Sequence, residues 1–302
     1  MKGNMTRRRF VATTVAATAL VSGTRSARSA VGRPAVCIFS KHLQFLDYRE
    51  LAKTCKELGL DGVDLAVRDK GHVSPDRVAE DLPRAVDAIR GEGLDVPMIT
   101  TALFSGEDPD ARPILSTASK LGIPYFRIGG QTYSETGNPL EQLPKFTEEL
   151  RGLAKLAEEF HITAGYHNHS GYDDVGAPLW DLHALLKAVG SDRLGSNFDV
   201  GHAKVEGGYG AWQINARLLA PYVKMMAVKD FVWEKDKPKW VPLGEGIVPV
   251  TEFLKIFREQ TDFAGPISLH FEYRVEPRNA MLDDMGKTVA TLRRLLEEAG
   301  YG

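Results

Sequence analysis

From residue 34 onward the chain alternates between two hydrophobic rhythms. Short apolar runs, rich in β-branched and aromatic residues, predict strands over 35–40, 62–67, 96–101, 124–129, 162–167, 195–200, 222–229 and 266–272. Between them, apolar residues recur at steps of three and four, the spacing of an amphipathic helix. The clearest case is 140–160, where Leu143, Phe146, Leu150, Leu153, Leu156 and Phe160 fall on one stripe. The segment 282–299 repeats it with Met285, Val289, Leu292 and Leu296. Eight strand–helix units with no linker between them predict an α/β protein, a single-domain (β/α)8 barrel over 31–302. An open doubly wound sheet is the competing arrangement. Its nucleotide-binding versions lose support, because no G-x-G-x-x-G follows the first strand and no G-x-x-x-x-G-K-[ST] occurs. Two long segments, 200–221 and 230–249, read as loop insertions at the C-terminal rim, where barrels hold their sites.

Residues 1–30 follow neither rhythm. They contain Lys2, Arg7, Arg8, Arg9, Arg25 and Arg28 and no acid, and Phe10 is followed by a mildly apolar run from Val11 to Val21. The pattern resembles a twin-arginine export signal: paired arginines, one residue, a large apolar residue, then a weak hydrophobic stretch. The expectation is an exported protein, periplasmic or otherwise extracytoplasmic. An uncleaved signal is the one route to a membrane. Such a compartment permits disulfides, yet Cys37 and Cys55 read as small buried hydrophobes, with a bridge as the alternative.

Setting this segment apart changes the charge. The whole chain has a formal net charge of −2, but residues 1–30 carry six basic side chains and no acidic one. The remainder holds 32 basic against 40 acidic side chains, a net of −8. An acidic domain without a basic stripe sets nucleic acid aside as a partner.

Candidate chemistry gathers at the ends of the later predicted strands. The fifth ends in His167, Asn168 and His169; the sixth in Asn197 and Asp199, with His202 just beyond. Lys229 ends the seventh, and His270 and Glu272 end the eighth. In a barrel these ends converge on one pocket. Imidazole and carboxylate ligate divalent Zn, Mn, Co and related ions, and they carry protons at neutral pH. Lys229 could face a developing enolate oxygen. Arg127 on the fourth strand, Trp233 and Glu245 are the further candidates for holding a substrate.

The segments YHNHSG (166–171), FDVGHA (198–203), VKDF (228–231), the Gly244-Glu245-Gly246 turn and SLHFEY (268–273) resemble the xylose isomerase-like TIM-barrel superfamily, the sugar phosphate isomerases and epimerases. The likeness covers nearly all of 34–302. It implies Glu272 as a catalytic, metal-binding glutamate, Asp199 as a metal ligand and His202 as a substrate contact. Two departures stand out. His167 occupies the place of a glutamate found in ketose 3-epimerases, and Ala227 the place of a metal-binding histidine. A histidine-bearing fifth strand is closer to inosose dehydratases and related lyases.

The resulting expectation is a sugar isomerase, epimerase or carbon–oxygen lyase that removes a proton next to a carbonyl. Glu272, His169 and Lys229 are its catalytic residues, and His202, Arg127, His270, Trp233 and Glu245 bind substrate. A divalent metal (Mn, Co, Zn or Mg) is expected on His167, Asp199 and Glu272. Export and acidity favour a free sugar, cyclitol or keto-glycoside, with neutral sugars as the better fit. A homo-oligomer is possible, and a non-catalytic exported sugar-binding barrel is the alternative.

Overall fold

The structure is a computed structural model that describes residues 32–302. The export signal expected over 1–30 lies outside the described residues.

Eight parallel strands close into a barrel. They are β1 (Val36–Phe39), β2 (Gly62–Ala66), β3 (Asp95–Thr100), β4 (Tyr125–Arg127), β5 (Thr163–His167), β6 (Leu194–Asp199), β7 (Val223–Val228) and, after a hairpin, β10 (Ile267–Leu269). The ring is shut by β1 pairing with β10, Val36 against Ile267. This closure excludes the open doubly wound sheet. All eight strands overlap the apolar runs that predicted them: six are shorter by a residue or more, and β3 and β6 start and end one residue earlier.

Helices α1 (Tyr48–Glu57), α2 (Val78–Gly91), α3 (Ala111–Lys120), α4 (Pro139–Glu159), α5 (Trp180–Val189), α6 (Val200–Gly207), α7 (Ala211–Leu219), α8 (Val250–Thr261) and α9 (Arg278–Glu298) follow the strands. Their ends are set by local chemistry. Asp47 caps α1 by accepting from the backbone N–H of Arg49 and Glu50, both at 2.9 Å, and Glu50 returns the bond to the Asp47 N–H. Asn138 caps α4, and Pro139 takes the first helical position, where no N–H is needed. The apolar stripe of α4 turns Phe146, Leu150, Leu153 and Leu156 onto the barrel, and α9 does the same with Met285, Val289, Leu292 and Leu296. The main core therefore lies between strands and helices.

The barrel interior is separate and small. Cys37, Met98 and Met225 form its apolar cluster. Gly165 makes room for it, since a side chain there would meet the Met225 methyl at 2.1 Å. Beside the cluster, Asp64 accepts hydrogen bonds from Thr100 and Ser268, both at 2.7 Å. Burial pushes its carboxyl up to about 6, against those two bonds. Cys37 and Cys55 are both free and buried, as small hydrophobes rather than a bridge.

Two expectations need correction. The segment 200–221 is not a loop: it folds as α6, α7 and a 3-10 turn over Ala220–Tyr222. Its glycines suggested a loop, but Trp212, Ala216 and Leu219 bury one face and supply what local propensity lacks. The segment 230–249 opens with an antiparallel hairpin, β8 (Asp230–Glu234) and β9 (Lys237–Val241). Among the described residues no helix is long and apolar enough to cross a membrane.

Candidate functional site

The C-terminal ends of the strands open into a cavity of about 1140 Å³. Its wall includes Arg127 from β4, His167 from the end of β5, His169 and His202 just beyond β5 and β6, and His270 and Glu272 just beyond β10. Asp199, the last residue of β6, lies beneath and is fully buried.

Lys229 is the hub. It follows β7, is 3% exposed, and its ammonium donates to Glu272 Oε1 at 2.5 Å. The same group meets His202 Nε2 at 2.6 Å and Asp199 Oδ2 at 3.2 Å. The remaining nitrogen of His202 meets Ser170 Oγ at 2.8 Å, so both ring nitrogens are engaged. Asp199 caps α6 by accepting from the His202 N–H at 2.9 Å. Its backbone is clamped by the Asn168 side chain, which donates to the Asp199 carbonyl and accepts from its N–H. A carboxylate so fixed, beside a buried ammonium, is positioned before any ligand arrives.

Burial keeps the imidazoles neutral. It lowers His167, His202 and His270 well below the ordinary histidine range, and the Arg127 and Lys229 charges add to the effect. His169 and His42 fall to about 3, mainly through the same desolvation. His169 Nε2 lies 3.4 Å from Arg127 Nη2, and a neutral ring accepts there. His42 Nε2 accepts from the Phe271 N–H at 3.0 Å and so ties β1's end to β10's.

Two groups of side chains have ligand atoms within 4.8 Å of one another and could hold a metal ion: His167, His169 and His202, or His167, Asp199 and His270. They differ in what is free. In the first, His202 is engaged at both nitrogens and His169 Nε2 is engaged by Arg127. In the second, His270 Nε2 and His167 Nδ1 are buried without a hydrogen-bond partner, Asp199 Oδ2 is held by the Lys229 ion pair, and the His167 and His270 rings stack 5.4 Å apart. Two histidines and a carboxylate suit Zn, Mn, Fe or Co. The second group fits a divalent ion. Glu272 belongs to neither group.

The hairpin packs against the Lys229 hub. Trp240 on β9 lies 4.4 Å from the Lys229 ammonium and 5.3 Å, edge-on, from His202. Asp230 holds the hairpin base: its carboxylate accepts from the N–H groups of Phe231, Gly244, Gly246 and Val248 at 2.9–3.0 Å. A side chain at Gly246 would strike that carboxylate at 2.1 Å.

Two of the expected substrate contacts stand outside this cavity wall. Trp233 does not line the cavity: it is 46% exposed and packs on Phe231. It lies two residues further from the barrel along β8 than Phe231, whose partner on β9 is Trp240. Glu245 is exposed outside the cavity wall, and its glycine neighbours serve the site through their backbones. The structure brings the other eight candidates together around the cavity and the Lys229 hub. Sequence reading missed Arg68 and Asp64, and it had no means of ranking Trp240 against Trp233. The hairpin pairing decides between the tryptophans, and no local pattern marks the other two.

A model of xylose isomerase-like TIM barrels matches residues 52–295. No curated protein matches the sequence significantly. Among solved structures, the chain is similar to a 3-keto-D-glucoside 4-epimerase from E. coli, at TM-score 0.68 and 13% identity, over 87% of this chain and 100% of that one. It is similar to a probable 3-DHS dehydratase from Bacillus anthracis, at 0.66 and 18%, over 86% and 98%. It is also similar to a xylose isomerase-like TIM barrel protein from Mycobacterium smegmatis in complex with magnesium, at 0.67 and 16%, over 89% and 96%. At such identities these likenesses speak for the fold alone.

Proposed function

The chain belongs to the family of xylose isomerase-like TIM barrels, and from that premise we propose that it is a sugar isomerase, epimerase or related lyase. Its reaction is abstraction of a proton next to a carbonyl. The observation that carries this reading is the Lys229 hub, which joins Glu272, His202 and Asp199 at the floor of one open cavity. Epimerases and a dehydratase among the similar structures support it.

Glu272 is the base. Its side chain is 38% exposed toward the cavity, and Lys229 holds one oxygen. As Glu272 takes a proton, its hold on Lys229 weakens. The ammonium is then free to turn toward the oxygen on which the enolate charge develops. His169, neutral at pH 7, is the second proton carrier. His202 orients Lys229, and Trp240 shields that ammonium from water. A divalent metal held by His167, Asp199 and His270 would polarise the substrate carbonyl when bound. Residues 1–30 are the export signal in this reading, and the mature barrel works outside the cytoplasm.

The test is deuterium wash-in at the carbon beside the carbonyl, followed by NMR on a panel of keto-sugars with Mn²⁺ or Co²⁺ present. Exchange that Glu272→Gln abolishes is the expected result. Sugar binding without exchange in the unmodified protein would leave only a binding barrel.

A further inference from the structure

The cavity does not share the charge of the domain around it. Outside residues 1–30 the chain has a net charge of −8, yet five basic side chains line this cavity against two acidic ones. One of the two acids, Glu272, is already neutralised by Lys229. Lys41, Arg274 and Arg278 stand at the exposed rim. Arg68 and Arg127 stand deeper, beside Phe39, with their guanidinium carbons 5.1 and 5.6 Å from its ring centre. Arg127 is 8% exposed and its Nε is buried without a partner. Its Nη2 lies 3.4 Å from the neutral imidazole of His169. Neither arginine forms an ion pair with a carboxylate among the described residues. The charge of buried Asp64 reaches both arginines, but its oxygens accept from two hydroxyl donors and it forms no ion pair with either. A desolvated guanidinium without a carboxylate is costly unless a ligand supplies one.

We propose that the cavity takes a sugar acid, and that Arg68 and Arg127 hold its carboxylate against the Phe39 wall. This rests on the proposed reaction and narrows its substrate class from the neutral sugars that overall acidity favoured. A planar carboxylate matches the guanidinium fork, and the pair would fix which end of the sugar faces Lys229 and Glu272. Burial lowers Arg127 to about 10, so it remains a cation at neutral pH.

Calorimetry tests this without turnover. D-glucuronate and D-galacturonate are compared with D-glucose and D-galactose, which differ from them only at the carboxylate carbon, and with glucose 6-phosphate. At least one acid should bind about tenfold or more tighter than its neutral partner. Added salt should weaken that advantage. Arg68→Ala, at a half-buried position, should erase the preference with the melting curve preserved. Equal or absent binding of acids and neutral sugars would overturn the proposal. So would a preference that survives Arg68→Ala, or glucose 6-phosphate binding as tightly as the acids. Acid binding with no proton exchange would leave this subsite standing and remove the proposed reaction; exchange on neutral sugars without acid preference would do the reverse.

Discussion

Replacing Lys229 by methionine tests the hub directly. Methionine keeps an unbranched chain of similar length, so the cavity left is small. What is lost is one buried cation with three partners. Asp199 is fully buried, and among the described residues Lys229 is the one lysine or arginine that forms an ion pair with it, so its carboxylate loses its main compensation. Removing one partner of a buried pair typically costs about 3–5 kcal/mol. Glu272, at 38% exposure, can turn to water and adds little. Asp199 keeps its bond from the His202 N–H, which lowers the penalty. A loss of about 3 kcal/mol is therefore expected, a fall in Tm of roughly 5 °C for a domain of this size. The assay is thermal unfolding of the purified barrel at pH 7, with Asp199→Asn alone and combined. The double variant should recover most of the loss, because an amide needs no counter-ion. A cost below about 1 kcal/mol, or strict additivity in the cycle, would refute the claim that this is a desolvated pair. In the same variant kcat should fall about 10²–10³-fold if Lys229 faces the developing oxyanion.

Elemental analysis should find a divalent ion near one per chain, and His270→Ala should abolish it, whereas Glu272→Gln should not. Glu272→Gln should cut kcat by about 10²-fold or more with little change in Tm, since its side chain is partly exposed and keeps an acceptor for Lys229. Asp230→Ala strands four backbone N–H groups and should destabilise by about 3 kcal/mol or more. Limited proteolysis should then cut the β8–β9 hairpin first. Stability should also fall with acid: His42 titrates at about 3 when folded and near 6.5 when unfolded, so the unfolded chain binds the extra proton between those values. Its contribution is complete above pH 6.5 and is lost as pH drops toward 3. His42→Gln should flatten that limb in urea titrations, and an unchanged slope would count against it.

The order of the eight barrel strands was legible in the sequence because each carries its own period, whereas α6, α7 and the β8–β9 hairpin were read as loops. Alternation closed by eight apolar runs leaves few topologies, and right-handed crossovers leave one barrel. The candidate site was legible for a related reason. Strand ends in such a barrel converge, so His167, His169, Asp199, His202, Lys229, His270 and Glu272 had to approach one another once the fold was right. Distances between strands are another matter, because no local pattern encodes them. Only the tertiary structure showed that Lys229 reaches Asp199, His202 and Glu272 together, and that His270, and not Glu272, brings a ligand atom within 4.8 Å of those of His167 and Asp199. Pairing across the hairpin put Trp240, and not Trp233, against Lys229. Net charge was similarly silent about the cavity, since a sum over the chain contains no direction. The sequence by itself determined which chemical groups stand at the rim. Packing decided which of them are stripped of water and which partners they then must find, and that desolvation is what turns a list of side chains into a site.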